Sequence, residues 1–173
     1  MGYSTMGYEY GRKVHASIDT DSLSVMEWKI TTASVYDKNM AFEMIDSVRD
    51  YRYILMDAAY DSSDIYDYIF ENTHAIPVID TNRRRGIVET KLTCNRKLGI
   101  ELRKNQSSRY KLRWEIERTF SILKDILRME YIWYVKHRNF DIAIGEIIVA
   151  YNCIVMANKI TGVQGRKIMH IVS

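Results

Sequence analysis

Proline and cysteine are scarce in this chain of 173 residues, and each scarcity closes off a class of structure. One proline and eight glycines leave no room for a long linker, a collagen-like repeat or a Pro-rich tract. The two cysteines, Cys94 and Cys153, stand far apart, with no C-x-x-C and no His/Cys cluster beside them. That argues against a disulfide framework and a structural zinc site, and makes a reducing cytoplasm the expected compartment. Met1 to Lys13 is rich in tyrosine and glycine and has no apolar signal-peptide core. The most apolar stretch, Ile142 to Met156, is interrupted by Glu146. It falls short of the roughly 20 residues of a membrane span, so a buried helix and no membrane contact are expected. His15, His74, His137 and His170 have no metal-ligand spacing, and no Gly-rich phosphate loop, nucleophile elbow or internal repeat is visible.

What remains is a chain that can build a core. Hydrophobic residues make up 47% and charged residues 27%, which fits one domain of ordinary size rather than disorder. The net charge of +3 hides a strong asymmetry. Residues 1–80 hold 14 acidic and 6 basic side chains, residues 83–113 hold 11 basic and 2 acidic, and residues 114–173 hold 8 basic and 6 acidic. A block as basic as the second suits a polyanionic partner such as nucleic acid; a solvated loop that keeps the chain soluble is the plainer alternative.

The first half alternates in the manner of strands. Lys13 to Ile18 and Leu23 to Thr32 flank Asp19-Thr20-Asp21-Ser22 and read as a hairpin. Asp37 is placed to cap a helix over Met40 to Val48, and Tyr51 to Met56 reads as a buried strand ending at Asp57. Asp61-Ser62-Ser63 begins a second helix through Phe70, and Ala75 to Ile79 gives another strand. The order β-β-α-β-α-β predicts a mixed α/β fold whose later strands are parallel by crossover. A basic connecting segment, 83–109, follows, and then two long helical patterns, roughly 107–129 and 139–160, the second capped by Asn139. Trp114 and Trp133 read as core or interface aromatics.

The most informative stretch is Tyr110-Lys-Leu-Arg113-Trp-Glu-Ile-Glu117-Arg-Thr-Phe-Ser-Ile-Leu-Lys124. At about 100° per residue, Tyr110, Arg113, Glu117 and Lys124 fall within an arc of roughly 60°, beside an apolar stripe from Leu112 to Leu127. An amphipathic helix with i,i+4 pairs such as Arg113–Glu117, each worth about 0.3–0.5 kcal/mol, would have the same pattern. Asp57 has two readings as well. The C-terminal end of a buried strand is where α/β sheets hold ligands, and it is also a common place for a capping aspartate.

The spacing Y-x-x-R-x-x-x-E-x-x-x-x-x-x-K resembles, at all four positions, the signature around the third acidic residue of insertion-sequence transposases with a DDE catalytic domain. Further pieces match that family in order: Gly11-Arg-Lys-Val-His15, Thr31 to Asp37, Met56-Asp57-Ala-Ala-Tyr60-Asp61-Ser62 and Ile76 to Ile79. The resemblance runs from about residue 7 to 160, and implies a ribonuclease-H-like α/β domain, a mixed sheet with flanking helices. It makes Asp57 the second acid and Glu117 the third, holding Mg²⁺ or Mn²⁺ for metal-dependent DNA cleavage and strand transfer in transposition. Tyr110, Arg113 and Lys124 would hold the DNA backbone, and Arg83, Arg84 and Arg85 would add sequence-independent affinity. Asp61 is expected to cap the helix after it.

The family's first aspartate lies on a central strand upstream of Gly11, and the ten residues before Gly11 contain none. Asp19 and Asp21 fall in a turn expected to lie away from the site. The resemblance therefore implies a truncated catalytic domain over 1–173, the C-terminal part, lacking the first, central strand and ending in C-terminal helices over 107–160. Exposed strand edges and marginal stability are expected of it. Two functions follow: a transposase completed in trans, or a catalytically inactive fragment that binds DNA or a full-length transposase. Transposon ends and target DNA are the implied partners, together with a homodimer or a full-length transposase. An unrelated helical nucleic-acid-binding protein is the third reading.

Overall fold

Short strands followed by alternating helices and strands make up the first part of a computed structural model that describes residues 2–4, 7–9, 11–82, 92–132 and 137–163. Strands β1 (Gly2–Ser4) and β2 (Gly7–Glu9) pair antiparallel, a small hairpin that the tyrosine- and glycine-rich sequence does not announce. The expected larger hairpin forms from β3 (Arg12–Ile18) and β4 (Val25–Thr32). Its turn is held by Asp19, whose carboxylate accepts the backbone N–H groups of Asp21 and Ser22 at 3.3 and 3.0 Å. Leu23 completes it in the left-handed region at φ 63°.

Helix α1 (Asp37–Ser47) begins at Asp37 itself. Asp37 is thus not its cap; the cap position is Tyr36, and the Asp37 carboxylate is held instead by Lys13. Strand β5 (Tyr53–Met56) leads through a 3₁₀ turn, Ala58–Tyr60, into α2 (Ser63–Asn72) and then β6 (Ile76–Ile79). β5 and β6 are parallel, with Tyr53 opposite Ile76 and Met56 opposite Ile79, as the crossover rule predicts. Ala41, Ile45, Ile54, Ile65, Tyr66 and Ile69 form the core against which these elements pack. Full burial of one large apolar side chain contributes about 1.5–3 kcal/mol, so this cluster is the main stabilising force of the region.

Within the basic segment, α3 (Cys94–Lys104) is capped by Thr93, whose hydroxyl accepts the N–H of Arg96 at 3.3 Å. The helix packs on β6 and α2. The long helix expected over 107–129 is broken into pieces of different pitch: α4 (Ser107–Tyr110), a 3₁₀ turn at Lys111–Arg113, α5 (Trp114–Ser121) and a π-helical turn at Ile122–Ile126. A uniform 100° step therefore does not carry through from Tyr110 to Lys124. Helix α6 (His137–Thr161) starts earlier than Asn139, which lies in its first turn. It ends at Gly162, left-handed at φ 72°, with the N–H of Val163 closing back on the carbonyl of Asn158 at 2.9 Å.

The chain divides into two compact units, Met1–Ala16 with Glu27–Arg113, and Ser17–Met26 with Trp114–Ser173. In the second, α6 buries Ile144, Ile148, Tyr151 and Val155. Its Tyr151 hydroxyl donates to the Leu23 carbonyl at 2.9 Å, and Asn152 bonds both the N–H and the carbonyl of Val25 at 2.9 Å. The expectation of a simply buried helix is corrected, because Ile142, Val149, Met156 and Ile160 are exposed. Among the described residues α6 is the one helix long and apolar enough to cross a membrane by length and composition alone. Trp114, read as a core or interface residue, is 59% exposed, and Trp133 lies outside the described residues.

The architecture is α/β, with small antiparallel and parallel sheets and flanking helices, consistent with part of a ribonuclease-H-like topology. One continuous mixed sheet is not formed among the described residues. The β3–β4 hairpin and the β5–β6 pair are separate two-stranded sheets because no described strand forms a ladder with both.

Candidate functional site

In the first unit, several of the candidate side chains gather around the parallel pair. Since Met56 stands opposite Ile79, the next residues along the two strands, Asp57 and Asp80, share the C-terminal edge, where α/β sheets hold ligands. Both readings of Asp57 draw on this placement. One carboxylate oxygen accepts the N–H of Ala59 at 2.7 Å and caps the 3₁₀ turn, while the residue still stands at the strand end expected of a ligand group. The Tyr60 phenol is pushed up to about 12, first by burial and then by the carboxylates of Asp37 and Asp57.

Asp37 belongs to a polar cluster on the hairpin. Lys13 donates to its carboxylate at 2.9 Å and to the Val35 carbonyl at 3.1 Å, and His15 Nδ1 lies 3.8 Å from the same oxygen. The other His15 nitrogen is 2.9 Å from the Thr31 hydroxyl. Burial holds His15 below its ordinary value near 6.5, against the opposing pull of Asp37, so the neutral ring is the form this strand face accommodates.

Asp61 is corrected. Its side chain is fully buried and caps no helix. It accepts a two-pronged hydrogen bond from Arg96, at 3.0 and 2.9 Å, and the N–H of Asn82 at 2.8 Å. The loop after Asp57, the end of β6 and the start of α3 are thereby joined at one carboxylate.

Asp80 is 3.6 Å from Arg103, whose guanidinium lies 3.9 Å over the Tyr110 ring; Arg113 lies over the same ring at 5.6 Å. Tyr110 and Arg113 therefore lie side by side. The ring is covered by guanidinium rather than open for a base, and burial and Asp80 raise its phenol above the ordinary value. One residue earlier, Arg109 lies 4.1 Å over Tyr53, and Arg52 lies 5.4 Å from the same ring. Sequence reading missed Arg52 and Tyr53, because a lone arginine in an acidic half carries no signal.

Glu117 and Lys124 belong to the second unit, Glu117 exposed on α5 and Lys124 in the π-helical turn, 3.2 Å from Glu130. Arg83, Arg84 and Arg85 lie outside the described residues. Among the described residues, no group of three or more His, Cys, Asp or Glu side chains is arranged to hold a metal ion. The side-chain donors described do not make up a complete centre for Mg²⁺ or Mn²⁺, which takes several oxygen ligands.

A family model described as "Transposase DDE domain" matches residues 2–153. No curated protein and no solved structure matches the chain.

Proposed function

Because the chain belongs to the transposase DDE-domain family, we propose that it serves transposition as a DNA-binding segment that does not cut DNA with the residues described here. The observation that carries this reading is the mismatch between donors and cations. Among the described residues acidic side chains do not converge in threes, whereas arginines and tyrosines interleave beside the parallel pair. On this reading Asp57 and Glu117 hold the second and third acid positions of the DDE pattern. The remaining acid comes from another segment or chain, and Mg²⁺ or Mn²⁺ binding belongs to the completed set. Tyr110, Arg113, Lys124 and Arg83 to Arg85 serve DNA affinity, and a second copy or a longer transposase chain is the protein partner.

The test combines fluorescence anisotropy on a labelled duplex with nicking of supercoiled plasmid in Mg²⁺ and in Mn²⁺. Binding that weakens steeply as salt rises, with no metal-dependent nicking, is the expected outcome. Nicking that disappears in Asp57→Ala or Glu117→Ala would restore the active-enzyme reading. Absence of duplex binding even at about 50 mM salt would remove the DNA-binding reading altogether.

A further inference from the structure

Two tyrosines of the first unit carry arginines on their rings, and the two stacks adjoin. Arg52 and Arg109 lie over Tyr53, and Arg103 and Arg113 over Tyr110, with Arg109 and Tyr110 neighbours on α4. The 3₁₀ turn after α4 packs on β5, and α4 itself packs on β6, so both stacks lie along the parallel pair. Arg103 is offset by Asp80. Arg52 and Arg109 are exposed and form no ion pair among the described residues.

We propose that this arginine–tyrosine row is a phosphate-tracking surface for duplex DNA, reading the backbone and not the bases. Its chemistry selects that occupant. A guanidinium laid on an aromatic ring keeps its in-plane N–H donors at the edge, suited to paired phosphate oxygens, and the stacking restricts the side chain before binding. With guanidinium over the tyrosine faces, base stacking of the kind that holds single strands has no platform here. The row also adds Arg52, more than 30 residues before the basic segment, to a surface that the charge pattern alone confines to 83–113. The inference rests on the DNA-binding reading and assigns it a place.

The test measures anisotropy of two 20-base-pair duplexes of unrelated sequence and a single strand of the same length, across a salt series. The proteins are the full chain, the double variant Arg52→Ala/Arg109→Ala and a control, Arg49→Ala, whose guanidinium is engaged by Asp46. Circular dichroism verifies folding. Each phosphate contact removed lowers the salt slope by about 1, so the double variant is expected to lose about 2 from the slope and roughly thirtyfold in affinity at 0.15 M salt. Both duplexes should lose equally, and Arg49→Ala should bind as the parent does. If the double variant fails to fold, Arg109→Lys provides the reading, since it keeps the charge but loses the planar stack; an intermediate loss is expected.

An unchanged slope and affinity in the double variant, with the parent still binding duplex, would overturn the row while leaving the DNA-binding reading intact. A loss confined to one duplex, or tighter binding of the single strand, would overturn backbone tracking. Unchanged DNA binding with loss of concentration-dependent self-association would reassign the row to an acidic surface of a second copy. A parent that binds no duplex at all would defeat the row together with the reading it rests on.

Discussion

A methyl group at position 99 would run into Cε1 of Tyr66, a fully buried ring. Two effects oppose each other when Gly99 becomes alanine. Helix propensity favours the change by about 1 kcal/mol, while overpacking a filled core costs about 1–3 kcal/mol. An overlap with a buried ring belongs at the upper end of that range, so Gly99→Ala is expected to lower stability by about 1–2 kcal/mol. Gly11→Ala, with open space around its added carbon, should stay within about 0.5 kcal/mol of the parent. Urea midpoints on both variants check this, and equal midpoints would mean that α3 does not sit on Tyr66 as described. Single residues were legible in sequence only where one pattern fixed both identity and place. Tyr110 and Arg113 lie side by side, and Asp57 ends its strand as expected.

The elements show where local sequence stops being informative. Strand and helix positions from β3 to β6 follow from alternation, turn residues and crossover geometry, whereas the β1–β2 hairpin left no such signal. The role of Asp61 does not follow from them either. Capping is the sensible local reading, but its partner Arg96 lies 35 residues away, and only the packing of α3 on β6 and α2 brings the two together. The break in the long helix was hidden for a related reason, since 3₁₀ and π turns leave hydrophobic spacing almost intact while shifting phase. The Asp61–Arg96 pair makes a direct prediction. Removing one partner of a buried ion pair leaves an uncompensated charge and costs about 3–5 kcal/mol, whereas replacing both is far milder. Arg96→Met is therefore expected to destabilise strongly, and Asp61→Asn/Arg96→Met to recover much of the loss. Denaturant midpoints decide it, and a single variant within about 0.5 kcal/mol of the parent would contradict the pair's place in the fold.

For the whole molecule, the charge segregation and the division of the sheets bear on the same question. Two-stranded sheets are marginally stable by themselves and draw their stability from the helices packed on them. In the first unit α3 and α4 do that work, and they also supply half of the arginine–tyrosine row, Arg103, Arg109 and Tyr110. A ligand that binds the folded row and not the unfolded chain must therefore stabilise that unit by mass action, about 2.7 kcal/mol at a duplex concentration of 100 Kd. Hydrogen exchange with and without duplex DNA provides the local measurement. Protection should rise in Tyr53–Met56 and Cys94–Lys104, which flank or form the row, and α6 should be unaffected. Raising salt should abolish the effect, because the released counterions that drive backbone binding lose their advantage. Protection confined to α6, or undiminished in high salt, would place DNA elsewhere and by other chemistry. The fall of DNA-induced protection in Arg52→Ala/Arg109→Ala, measured beside its own free state, then separates loss of the ligand from loss of the fold.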